Sequence, residues 1–333
     1  MAKANTKFLY REIFKKSYEL VKNNKFLWFF GFFAAAFGGF GEFESVFKDY
    51  TNVTNTSDSI FSWQGLYEGG VLWTIFDNVK SFFSQYPWQA FFLILIIGLI
   101  FVVIYWLAIV SQIALFDSSY KLSRNKKTGY AEGYRAGAQH FVPVFLINIA
   151  FRVLLYALFV VVAAPLLSWF LVRENVWGGI FFVVLLFLIY IPISIIVSFI
   201  IKYTIAYIVL KGHKAMDAVK SAWQLFKNNW LISIEMGLMI LLLGLVVGIG
   251  MLIIMGLAAV PFVLIAIAAL FFGSSTGLGV AVILGALAWF VIISVIGSAF
   301  VSFQYSSWTL LFLDLVGDKA ESKLKRLVAK LTS

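Results

Sequence analysis

The sequence predicts an all-α polytopic membrane protein of six spans, arranged as three parallel repeats of an interfacial amphipathic helix plus a two-span hairpin. Three observations lead there. Hydrophobic residues make up 62% of the 333 and charged residues 13%, against about 45–50% and ~25% in soluble domains. Several apolar runs exceed the ~20 residues that a helix needs to cross ~30 Å of hydrocarbon, and they lack the polar alternation of a barrel strand. Lysine and arginine are confined almost entirely to alternate connections between those runs.

Residues 1–25 are basic and precede "FLWFFGFFAAAFGG", a pattern resembling a secretion signal. The length of the basic stretch and its Glu12 and Glu19 favour an uncleaved first span at 26–43. The remaining spans are expected at 89–116, 141–171, 177–204, 230–257 and 280–313. Seven basic residues precede the first span, five lie in 117–140, four in 211–229 and five after 314, while Lys48, Lys80 and Arg173 stand on the other side. The positive-inside rule then places both termini in the cytoplasm of a multi-pass cell-membrane protein.

One run strains this count. From Trp230 to Phe272 there are 43 residues with almost no break. A seventh crossing would place the basic tail outside, so Pro261 and the "GSSTG" at 273–277 are read as ending a span near 257, followed by an outward-side helix or re-entrant piece. The outer loop 44–88 carries acceptor sequons at Asn52 and Asn55. Leu72, Ile75, Phe76, Val79, Phe82 and Phe83 mark a helix on the outer interface.

In 213–230, Met216, Val219, Trp223, Phe226 and Trp230 form an apolar stripe opposite Lys214, Lys220 and Lys227, the pattern of a helix lying among headgroups. "YELVKNNKFLWF" (18–29) aligns with "WQLFKNNWLISI" (223–234), and "YRAGAQHFVPVF" (134–145) is a sparser copy in which Gly137 replaces Phe226. "YTIAYIVLKGHKA" (203–215) likewise matches "WTLLFLDLVGDKA" (308–320). The repeat units are therefore about 1–116, 117–210 and 211–316 of a single integral membrane domain, closed by an amphipathic helix at 318–332 with Asp318 and Glu321 as its capping box. The repeated "AVKSAWQLFKNNWLI" unit resembles a group of prokaryotic six-helix membrane proteins similar to the membrane domain attached to some glycerophosphodiester phosphodiesterases. That resemblance implies a membrane module and transfers no activity or site residue.

Ionisable groups at bilayer depth cost about 2.5–3.5 kcal/mol or more and are functional candidates by default. Arg152, flanked at i−4 and i+4 by Asn148 and Tyr156, falls near the midplane, and Glu235 is close enough in depth to pair with it. Ser194, Ser198 and Lys202 form a second stripe, and Ser294, Ser298, Ser302 and Ser306 a third. Either these line a polar cavity for an anionic or zwitterionic ligand, or they are interhelical hydrogen bonds and a buried ion pair. For the serines the structural reading stands first. For Arg152 and Glu235 both stay open.

Cysteine is absent and only His140 and His213 are present; no metal or catalytic constellation stands out, and "GLVVGIG" reads as packing glycine. The expectation is a non-enzymatic module without cofactors, whose basic inner face contacts anionic lipid through Lys22, Lys25, Lys214, Lys220, Lys227, Trp223 and Trp230. A membrane-protein partner is compatible with this, and nucleic acid is not. The alternative is a transporter or channel for a small or amphipathic solute using Arg152 and Glu235.

Overall fold

The computed structural model describes residues 9–37, 80, 81, 83–172 and 176–317. The expected helix at 318–332, the sequons at Asn52 and Asn55, the end of the first span beyond residue 37 and most of the outer interfacial helix lie outside the described residues. Every element described is helical: α1 (Leu9–Asn23), α2 (Phe26–Phe37), α3 (Pro87–Ser123), α4 (Tyr130–Gln139), α5 (Phe141–Val172), α6 (Val176–Lys211), α7 (Ala215–Asn228), α8 (Trp230–Phe271) and α9 (Ser275–Val316). Among the described residues, five stretches are long and apolar enough to cross a membrane: Pro87–Ser123, Phe141–Val161, Leu188–Lys211, Trp230–Phe271 and Thr276–Val316. Phe26–Ala35 is apolar but shorter.

The chain divides into two compact units, Phe43–Leu107 and the remainder. In the first, Ser84 Oγ bonds to the carbonyls of Lys80 and Ser81 at 3.0 Å each. The start of α3 follows, exposed on every side from Phe91 to Val103 although almost purely apolar. Such a helix has no stable place in water, and hydrocarbon is the solvent that suits it.

The second unit is built around the C-terminal half of α9. Val301–Phe312 is buried on every side, including Ser302, Gln304, Ser306, Ser307 and Thr309. Small polar side chains let neighbouring helices approach this post closely, and Ser302 and Thr309 return their hydroxyls to backbone carbonyls. Gly31 of α2 crosses here: a Cβ at that position would lie 2.1 Å from the Ser298 carbonyl oxygen. Ser302 Oγ, beside it, bonds to the carbonyls of Leu27 and Ser298 at 2.8 Å each. On another side, Ser306 Oγ meets Ser119 Oγ of α3 at 2.9 Å. Trp308 packs on Phe199 and Tyr203 of α6, with ring centroids 5.1 and 5.9 Å apart.

The expected break near residue 257 is not found. α8 runs through Pro261 to Phe271 as one helix of 42 residues, about 63 Å at 1.5 Å per residue. Proline removes one backbone donor, and in an apolar surround a helix keeps its other bonds because no water competes for them. The hairpin partner α9 lies alongside, and Trp289 Nε1 donates to the Met255 carbonyl at 3.2 Å. The chain turns only at 272–274: Gly273 takes φ +62°, Ser274 N returns to the Ala269 carbonyl at 2.8 Å, and Ser274 Oγ caps α9 by accepting from Gly277 N. Glycine is suited to that left-handed position because it has no Cβ to clash.

Candidate functional site

The first candidate surface is the set of short helices that precede long apolar ones. In α7 the buried stripe is Ala218, Ala222 and Phe226, packed toward α6. Met216, Trp223 and Trp230 are 70%, 51% and 53% exposed. The stripe expected from sequence thus splits: Phe226 faces the protein, while the two tryptophans and the methionine face outward. At 100° per residue these form adjacent arcs, with Lys220 and Lys227 on the far edge of the outward one and Lys214 on the polar side; all three lysines are exposed. Small alanines allow the helix to lie close against α6, which leaves its bulky apolar groups for another medium.

α1 has the same three-sided arrangement. Ile13, Ser17 and Val21 are buried, Tyr18 is 59% exposed, and Lys15 and Lys22 are exposed, as is Lys25 in the turn that follows. Lys22 Nζ lies 5.8 Å from the Tyr18 ring centroid. In α4 the buried residues are Gly133, Ala136 and Gly137. A Cβ on Gly137 would stand 2.5 Å from the Val110 carbonyl oxygen. That close approach to α3 is the physical reason this position cannot carry a counterpart of Phe226.

The polar residues expected at bilayer depth lie on the long apolar helices, with the following contacts. Glu235, half-buried on α8, accepts a hydrogen bond from the Tyr10 hydroxyl of α1. Tyr10 is 2% exposed. Lys202, half-buried on α6, holds its Nζ 4.7 Å from the Trp308 ring centroid, a cation–π contact to the central post. Asn148 is buried and returns its Nδ2 to the Val144 carbonyl at 3.0 Å. Arg152 is half-buried and engaged by the protein, Ser198 is half-buried, and Tyr156 on the same helix is 65% exposed. Along the four-residue spacing in α5 the exposure rises from buried Asn148 through half-buried Arg152 to exposed Tyr156.

Two partners escaped the sequence reading. Tyr10 sits in α1 among residues that read only as an amphipathic face, and its reach across 225 positions to Glu235 has no local signature. Tyr203 Oη and Ser233 Oγ, 2.8 Å apart, likewise join two helices whose pairing only the fold reveals. His140 and His213 line one cavity of about 350 Å³ beside Gly212 and Lys214. His213 stacks on Tyr207 with centroids 5.1 Å apart, and His140 Nδ1 lies 3.1 Å from the Ala136 carbonyl oxygen. Among the described residues, no three His, Asp or Glu side chains gather where one ion could reach them. No protein family, curated protein or solved structure matches the chain.

Proposed function

We propose that this chain is a non-enzymatic cell-membrane module, six spans with both termini cytoplasmic, whose short basic helices lie in the inner headgroup layer and hold anionic lipid around the bundle. α2 supplies the first crossing beside the five long apolar stretches. The observation that carries the reading is the three-sided build of α7: alanines against the protein, Met216 and Trp223 outward, Lys220 and Lys227 at the edge, with Trp230 exposed at the start of α8. Indole rings prefer the headgroup level, and each lysine near an anionic surface contributes about 1 kcal/mol.

The repeat is supported by hydrogen bonds as well as by letters. At the end of each short helix the junction residue returns its side chain four positions back: Asn24 Nδ2 to Leu20 O at 2.8 Å, Asn229 Nδ2 to Leu225 O at 3.2 Å, and His140 Nδ1 with Ala136 O at 3.1 Å. In the return spans Thr204 and Thr309 make the same bond to Ile200 and Tyr305, at 2.7 and 2.8 Å. The match ends at the glycines, since Gly212 has φ +68° and Gly317 has φ −88°. On this reading three equivalent units stand around an axis near the membrane normal.

The transport reading gains less. Glu235 accepts from Tyr10 and Lys202 lies over Trp308, contacts that suit polar groups held by the bundle's own side chains. The test is amide exchange of the full-length protein in nanodiscs of phosphatidylcholine with and without phosphatidylglycerol. Residues 215–228 should exchange more slowly when the anionic lipid is present, and equal exchange in both would overturn the electrostatic contact.

A further inference from the structure

The chain has two histidines, His140 and His213, and the fold brings both to one cavity of about 350 Å³. His140 stands where α4 ends and α5 begins, and His213 in the turn 212–214 that joins α6 to α7. Pro143, Ile208 and Ala215 give the cavity apolar walls, and Gly212, at φ +68°, makes the turn. In both rings it is Nδ1 that is engaged: His140 Nδ1 lies 3.1 Å from the Ala136 carbonyl oxygen, and His213 Nδ1 lies 3.4 Å from Ser221 Oγ. A carbonyl only accepts, so His140 Nδ1 carries the hydrogen and its Nε2 is the atom that takes a second proton. Asn24 and Asn229 make the same four-back bond with an amide, which cannot change charge near neutral pH. His140 is the one of these three junction residues that can.

The ionisable side chains lining the cavity are His140, His213 and, exposed beside them, Lys214. Tyr207, stacked on His213 with centroids 5.1 Å apart, is a phenol and neutral below about pH 9. Glu132, Arg135, Lys211 and Asp217 belong to the helices that meet here, and none of them lines the cavity. We infer that the cavity is an acid-sensitive latch on α7. With both imidazoles neutral, the 212–214 turn sits against the start of α5. With both protonated, two cations share a cavity with apolar walls, Lys214 adds a third beside them, and among the described residues no carboxylate lines it to offset them. Like charges repel more strongly where apolar walls exclude water, so the turn moves off α5. Histidine changes charge between about pH 5 and 8, and the direction is loosening as the pH falls. The latch stands on this cavity alone. Its consequence, that the contact of α7 with headgroups responds to pH on the inner face, rests on the function proposed above.

The experiment is amide exchange of the full-length protein in phosphatidylcholine nanodiscs at about pH 7.5 and about pH 5.5, either side of the histidine range, corrected for the intrinsic pH dependence of exchange. No anionic lipid is present, so the outcome does not depend on the headgroup contact. Residues 208–218 should exchange about threefold or more faster at the lower pH, the scale of charge contacts near a surface. Residues 20–28, around the Asn24 junction, should not change. H140N places at this junction the amide that the other two carry and keeps a donor for Ala136, while H213F keeps a ring to stack on Tyr207. Together they should abolish the acid effect, and each alone should reduce it. A double variant that melts well below the parent at neutral pH is replaced by the two single ones. No acid effect in the parent overturns the latch. So does an effect that persists in H140N/H213F, or one shared equally by residues 20–28, which is the signature of general loosening in acid. An acid effect confined to 208–218, in a chain whose α7 exchange ignores phosphatidylglycerol, supports the latch and overturns the lipid contact.

Discussion

Gly31 is the tightest of the described glycine contacts. Its absent side chain is what lets α2 lie on Ser298 and Ser302, with 2.1 Å between an imagined Cβ and a backbone oxygen that cannot swing aside. Gly31→Ala forces α2 from α9 and should cost about 1–3 kcal/mol, as overpacking does; the measurement is a lowered melting temperature in detergent. Tyr10 offers a second test at this scale. Tyr10→Phe keeps the ring and removes the donor to the Glu235 carboxylate, and hydrogen bonds to charged groups contribute about 1.5–3 kcal/mol. The expected result is a melting temperature lowered in Tyr10→Phe and much less affected in Glu235→Gln, whose amide oxygen still accepts the phenol. The serine ladder in α9 was legible beforehand as packing, because a four-residue repeat of small hydroxyls has few other uses in a bundle. The partners of Glu235 and Lys202 were not, because they lie on helices far away in sequence.

At the scale of elements, the junctions from Lys22 to Lys25 and from Lys227 to Trp230 were placed by pattern alone, and α1 and α7 end within a residue of where the Lys-Asn-Asn triplets suggest. The faces were read less well. A period of 3.6 finds one apolar arc, whereas α7 has two neighbouring ones, one for protein and one for its surroundings, and hydropathy treats alanine and tryptophan alike as inward. The break expected near 257 rests on charge: a seventh crossing would put the basic tail outside, and Pro261 and the "GSSTG" at 273–277 offer the stops. α8 instead continues to Phe271, since a helix in hydrocarbon gains nothing by breaking where freed carbonyls find no water. Pro261→Ala should therefore leave the stability within about 1 kcal/mol of the parent's, or raise it slightly by restoring a backbone donor, read as a melting temperature near or just above the parent's. A clear destabilisation would mean that the proline shapes α8 against α9.

At the scale of the whole molecule, the absence of cysteine makes the proposed topology directly testable on a clean background. Lys126→Cys and Lys214→Cys, both at exposed positions between helices, should react with an impermeant maleimide only from the cytoplasmic side. Thr276→Cys, at the α8–α9 turn, should react only from the opposite side. Reaction of Thr276→Cys and Lys214→Cys from the same side would remove a crossing and the six-span arrangement with it. The length of the α8–α9 hairpin, about 63 Å against ~30 Å of hydrocarbon, requires tilt or emergence of its tip. Reaction at Thr276→Cys should accordingly be rapid.

The sequence by itself determined that the chain is an all-helical membrane protein, and it marked where its short basic helices end and its long ones begin. Those features follow from local composition and periodicity, which depend on the solvent around each segment and need no knowledge of neighbours. Only the tertiary structure decided which arc of α7 faces protein, that α9 is the post around which the second unit packs, and that Tyr10 is paired with Glu235. Each of these depends on contacts between residues on different helices, up to 275 positions apart, or on the close approach of two backbones, and neither leaves a periodic trace in the chain.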